Sequence, residues 1–305
     1  FMNERLFQRI DALYGARKKL NLDKETSRVL EKTWKRFVRG GAKLDEQGKK
    51  RLAEINEELA ELGARFGQNV LADESKWALF LDEPDLDGIP DSLKSAMAEA
   101  AESRGKSGQY AVTLSRSIAE PFLSTSARRD LRETVLEAFL RRGDNEGETN
   151  NAKIVHHTLA LRAEKARLLG YENYAAYKLD DTMAKTPEAV MQLLRPVWNK
   201  AREKAAEDEK ELSHIAAAEG HNHSIAAWDW RYYAEKLRAE RFAFDEGTLK
   251  PYLSLENVIA AAFDVAGRLF GLTFEERRGI PAWHDDVRVF AVKNADGSER
   301  GLFLA

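Results

Sequence analysis

Residues 51–66 read RLAEINEELAELGARF, and their spacing decides the fold class. Leu52, Ile55, Leu59, Leu62 and Phe66 recur at intervals of three and four, which places them on one stripe of an α-helix. Charges such as Glu54, Glu57, Glu58 and Glu61 support the helix from its polar side. The stripe is too short for an intermolecular zipper, which needs several sustained heptads, so it predicts a helix packed on its neighbours. Upstream, Leu6, Ile10 and Leu13 follow the same period, as do Leu30, Trp34 and Phe37, and Gly40-Gly41 then breaks the chain.

Downstream the period changes. In KWALFLDEPDLDGIPDSL (76–93), Trp77 to Leu81 is a short apolar run. Asp85, Asp87, Gly88 and Pro90 supply a turn before a helix opening near Asp91. GQYAVTL (108–114) reads as a second strand, so a small sheet is expected around 77–115. Helices are expected to resume at about Ser126 and to run to about Leu272. Examples are Val190, Leu194, Val197 and Ala201, and then Leu255, Val258, Ala262, Val265 and Leu269. AEGHNHSIAAWDW (218–230) is a polar break followed by a helix start. The expected class is mainly α, with long amphipathic helices, the β element near 77–115 and a C-terminal β-hairpin.

That hairpin is read from VRVFAVKNADGSERGLFLA (287–305). Val287, Val289 and Ala291 alternate with Phe290 and Val292, Asn294 to Gly297 carries turn chemistry, and Arg300 to Ala305 returns. Leu302, Phe303 and Leu304 have nothing after them to cover an apolar strand, and Phe1 precedes Met2. Both features give the expectation that the chain is a piece of a longer protein.

Composition narrows the function classes. The 305 residues are 43% hydrophobic and 32% charged, with 48 basic against 51 acidic residues and a formal charge of -3. A dedicated nucleic-acid binder would be strongly basic, and an anionic membrane surface finds no net attraction here. No apolar run approaches the roughly 18 residues of a membrane helix. Cysteine is absent, which removes disulfides, thiolate zinc sites and cysteine nucleophiles, and fits a reducing cytoplasm. Only seven prolines fit a helical chain.

Chemistry-bearing motifs are scarce. The six histidines are His156, His157, His214, His221, His223 and His284, and no H-E-x-x-H occurs among them. His156 and His157 are adjacent and diverge by about 100° on a helix. His221-Asn222-His223 reads as a solvated loop rather than a paired ligand set. No G-x-S-x-G, G-x-G-x-x-G or complete phosphate loop appears. No catalytic and no metal-binding residue is therefore assigned. WDWRYYAEK (228–236) stands out, because Trp228, Tyr232 and Tyr233 cluster around Asp229, with Trp230 beside them. Such rings suit either a bulky helix–helix contact or the wall of a peptide groove. Trp228, Asp229, Tyr232 and Tyr233 are the candidate substrate-channel residues, and Arg231 or Lys236 could pair with nearby carboxylates.

Four stretches together resemble one family. They are RFVRGGAKLDEQGKKRLAEINEELAELGARFGQNVLADE (36–74), LGYENYAAYKLDDTMAKTPEAV (169–190), the W-D-x-x-Y-Y-x-x-K pattern of 228–236, and WHDDVRVFAV (283–292). They resemble the thimet-oligopeptidase-like zinc metallopeptidases, the first stretch favouring the dipeptidyl-carboxypeptidase branch over oligopeptidase A. The resemblance runs over essentially the whole chain. It implies an almost wholly helical, two-lobed enzyme with a deep channel that admits flexible oligopeptides. It implies zinc at the channel floor, held by H-E-x-x-H and a downstream Glu that this sequence does not reach. Residues 1–250 would then form a channel wall, and 251–305 would begin the catalytic side. Zinc would be the longer protein's cofactor, with none bound by this chain. Its partners would be oligopeptide substrates and the catalytic half of the same protein, with no nucleic acid and no membrane. The expected location is cytoplasmic and the expected activity release of C-terminal dipeptides, this chain alone being inactive. A stand-alone helical interaction module and an oligopeptidase A-like endopeptidase are the alternatives.

Overall fold

The computed structural model describes residues 3–243 and 249–305; the Phe1-Met2 pair read above lies outside them. The chain divides into two compact units, one up to Leu237 and one from Arg238.

The first unit opens with α1 (Glu4–Ala16), α2 (Lys24–Arg39) and the 31-residue α3 (Glu46–Lys76). Each starts where the sequence supplies an acceptor. Asn3, Asp23 and Asp45 take the N–H of Leu6, Thr26 and Gly48, removing one orphan donor per helix. β1 (Ala78–Leu81) pairs antiparallel with β2 (Tyr110–Thr113), with Ala78 opposite Thr113 and Leu81 opposite Tyr110. Between them lies α4 (Asp91–Glu102), and α5 (Arg116–Thr125) and α6 (Arg129–Leu140) follow. Leu81, Met97, Val112, Phe122 and Val135 form the main core where these elements meet. Gly88 holds φ at +78°, and a Cβ there would stand 2.3 Å from the Thr125 carbonyl oxygen, so the turn admits only glycine.

α7 (Ala152–Leu168) lies along α3, and Ile55, Leu62, Ile154 and Leu161 are buried between them. The Arg51 guanidinium donates twice to Glu164 across the pair, at 2.6 and 2.9 Å. α8 (Tyr174–Leu179), α9 (Pro187–Ala218) and α10 (Ala227–Phe242) complete the run of helices. In the second unit, α11 (Leu255–Phe270) ends on Gly271 in the left-handed region and leads to a three-stranded sheet. Its order is β3 (Thr273–Glu276), β4 (Val289–Lys293), β5 (Glu299–Leu304), all antiparallel. Phe263 of α11 stacks on Phe274 at 4.0 Å and meets Phe290 edge-on at 4.9 Å.

The fold is mainly helical with small antiparallel sheets, and three details differ from the sequence reading. Helices resume at Arg116 rather than Ser126. α5 accommodates Pro121 because Ile118, Ala119, Phe122 and Leu123 are buried, which offsets the one hydrogen bond that proline removes. The C-terminal hairpin is the outer part of a sheet, since Thr273–Glu276 adds a strand whose charged residues hide its pairing. The β4 strand starts at Val289, not Val287, because Val287 closes a turn on the His284 carbonyl. In the long stripe, Leu52, Ile55 and Leu62 are buried as expected, whereas Phe66 is 42% exposed. The stripes of α9 and α11 stand open: Leu194, Val197, Leu255 and Leu269 are all exposed. Among the described residues no helix is long and apolar enough to cross a membrane.

Candidate functional site

α10 begins at the aromatic cluster, and Asp229 organises it. Its carboxylate accepts the Ala226 N–H at 3.1 Å, which tethers the first turn. The same carboxylate is fully buried, and α6 supplies two guanidinium groups to it. Arg129 donates through Nε at 3.1 Å and Nη2 at 2.9 Å, and Arg132 donates through Nη2 at 2.9 Å. Arg132 is 1% exposed and uses its remaining donors on the Trp228 carbonyl at 3.1 Å and the Ser126 carbonyl at 2.7 Å. Such a fork satisfies a buried carboxylate in a way that lysine could not. Burial pushes the Asp229 carboxyl up, but the bonds from Arg129, Ala226 and Arg132 outweigh it and hold it below the usual aspartate range.

The rings pack on these cations. Arg129 sits 5.3 Å from the Trp228 ring centre and Arg132 4.1 Å from that of Tyr232. Tyr232 meets Tyr233 edge-on at 5.1 Å. Tyr233 is buried against Leu212 and Ala216 of α9. Lys236 reaches Glu219 and lies 4.6 Å from the Tyr232 ring centre, so the expected lysine pairing forms. Asp229, in contrast, pairs with neither Arg231 nor Lys236 but with α6. The four candidates thus come together, with Asp229 and Tyr233 internal and Trp228 and Tyr232 half-buried. Sequence reading missed Arg129 and Arg132, which lie 100 and 97 residues from their partner. The available signal was chemical: an aspartate between two tryptophans, if buried, requires a cation.

The described residues do not fit a zinc site. No group of three His, Asp or Glu side chains among them could hold a metal ion. The His221 and His223 rings lie parallel, 5.5 Å apart and 14° inclined, instead of converging. His157 faces Glu58 at 3.2 Å, and His284 lies 3.5 Å from Asp286. What the α10 cluster offers chemically is a fixed polar and aromatic surface.

Residues 122–304 match the sequence pattern of the family described as peptidase family M3. The chain is 36% identical over 305 residues to a dipeptidyl carboxypeptidase of Salmonella typhimurium, an alignment that covers 99% of this chain and 45% of that protein. A dipeptidyl carboxypeptidase of Escherichia coli K12 is 34% identical with the same coverage. Oligopeptidase A of Escherichia coli K12 is 31% identical, over 92% of this chain and 42% of that protein. The chain therefore spans less than half the length of these curated relatives.

Proposed function

Because the chain belongs to peptidase family M3, we propose that it is the channel-wall part of a zinc-dependent peptidase that shortens oligopeptides by releasing C-terminal dipeptides. The observation that carries this reading is the 36% identity to a dipeptidyl carboxypeptidase along 99% of the chain. Zinc would supply Lewis-acid polarisation of the scissile carbonyl and an activated water. Its ligands would come from the part of the relatives' length that this chain does not cover. The residues described here would bind and orient the peptide and limit substrate size. Residues 1–250 serve as wall and 251–305 as the start of the catalytic side, in a cytoplasmic enzyme. Trp228 and Tyr232 are the members of the α10 cluster with surface left to meet a peptide, and Asp229 and its two arginines position them.

The test uses a polypeptide extended to the relatives' length, with free and C-terminally amidated forms of one apolar pentapeptide. Successive dipeptides should leave the free peptide, and amidation should suppress the release. Equal internal cleavage of both forms would support the oligopeptidase A-like alternative instead. Substituting Tyr232→Ala should raise KM more than it lowers kcat, because a wall residue contributes binding common to ground and transition states. An equal fall in kcat and kcat/KM would remove Tyr232 from the wall.

A further inference from the structure

A second concave surface, unrelated to the α10 cluster, runs along the outer side of the α3–α7 pair. It encloses about 610 Å³. The two helices are antiparallel here: Asn56 accepts from Lys165 at 2.5 Å at one end, and toward the other the Phe66 carbonyl accepts from Asn151, just before α7, at 3.3 Å. From Asn56 to Phe66 the helix rise makes the groove about 15 Å long. Away from its Asn56 end the lining is apolar except for Thr158. Leu59 and Phe66 line it from α3 and Val155 and Leu159 from α7, and Phe66, Val155 and Leu159 stay exposed. Ala60 and Gly63 keep the α3 side low, and a Cβ on Gly63 would meet nothing within 4 Å.

The polar end is one-sided in charge. Arg162 and Lys165 border it, and no acidic side chain lines the groove. Both residues have partners, though none is a carboxylate, and Lys165 also lies 5.7 Å from the Tyr177 ring centre. Lys165 donates to a neutral amide, and Arg162 lies 5.2 Å from the Tyr174 ring centre. Among the described residues neither makes an ion pair, in a chain whose acidic residues outnumber its basic ones by three. Burial, and then the charge of Lys178, holds the Lys165 ammonium below the usual lysine range, so an anion placed beside it would be favoured.

We propose that this groove binds a medium-chain fatty acid, its carboxylate between Arg162 and Lys165 and its alkyl chain along Leu59, Leu159, Val155 and Phe66. The charge complementarity is confined to one end, and the lining beyond it is apolar but for Thr158, which is the distribution of a linear monocarboxylate. An amphipathic helix would lay an apolar stripe along the groove and has no need of cations gathered at one end. The site is independent of the peptidase reading and does not use the α10 cluster.

Titration calorimetry of the whole chain with decanoate, below the concentration at which it forms micelles, tests the proposal. One decanoate should bind per chain. The Arg162→Gln/Lys165→Gln double variant should bind it about tenfold more weakly, the usual order for loss of charge-assisted contacts. Gly63→Leu should abolish binding while helicity and melting temperature stay the same or rise, since its side chain enters open space and removes a mid-helix glycine. Decanol should bind markedly more weakly than decanoate. Absence of binding, several equivalents per chain, equal affinity for decanol, or indifference to the double variant would each overturn the proposal. So would displacement of decanoate by an apolar helical peptide that binds more tightly.

Discussion

Asp229 is the residue on which the α10 cluster depends. Fully buried charge is tolerable only when it is paired and hydrogen-bonded on every side, and here two guanidinium groups and one backbone N–H do this. Substituting Asp229→Asn should cost about 3 kcal/mol of stability near neutral pH, because Arg132 is then left buried without a counter-charge. The pH dependence has a definite sign. A folded-state pKa below the ordinary aspartate value of 3.8 gives stability that is present above that value and is lost as pH falls through the depressed one. The difference in melting temperature between the native chain and the variant should therefore be constant above about pH 5. It should narrow once the pH drops below the ordinary aspartate value. A difference that widened on acidification would refute the pairing.

At the scale of elements, the two ends of the chain differ in how well their backbone is covered. α3 buries Leu52, Ile55 and Leu62, whereas Leu302, Phe303 and Leu304 of β5 are all exposed and β5 is an outer strand. Amide exchange should accordingly be fast at the β5 amides that do not face β4, and slow across residues 52–62 of α3. Equal protection in the two segments would contradict this. The same contrast explains what could be read in advance. Local signals sufficed where an element carries its own period or caps, as α3 and the 287–305 hairpin do. They failed at α5, whose Pro121 argues against a helix that tertiary burial nonetheless holds. They failed again at β3, where Thr273, Glu275 and Glu276 mask a strand that only its partner β4 defines.

For the whole molecule, the family could be recognised because four particular stretches occur in order over the chain; the match to residues 122–304 takes in the last three, and the 36% identity along 99% of the chain takes in the first. The candidate site was legible only in its contiguous part, the rings together with Asp229. The ring cluster is contiguous in sequence, but the arginines that fix it lie on α6, at a separation no local pattern spans. That separation carries over into kinetics. Asp229 and Arg132 close a loop of 97 residues, so their contact is entropically expensive until α6 and α10 are already in place. The α3–α7 contacts bridge spans as long or longer, 113 residues between Arg51 and Glu164, and the β1–β2 contacts shorter ones, but both rest on apolar burial that can accumulate gradually. The ion pair, by contrast, needs both partners oriented at once. In stopped-flow experiments Asp229→Asn should thus hasten unfolding on the order of a hundredfold, the whole of the roughly 3 kcal/mol, and leave the refolding rate nearly untouched. The buried pair would act as a latch that engages after the rate-limiting barrier and governs how long the folded chain persists.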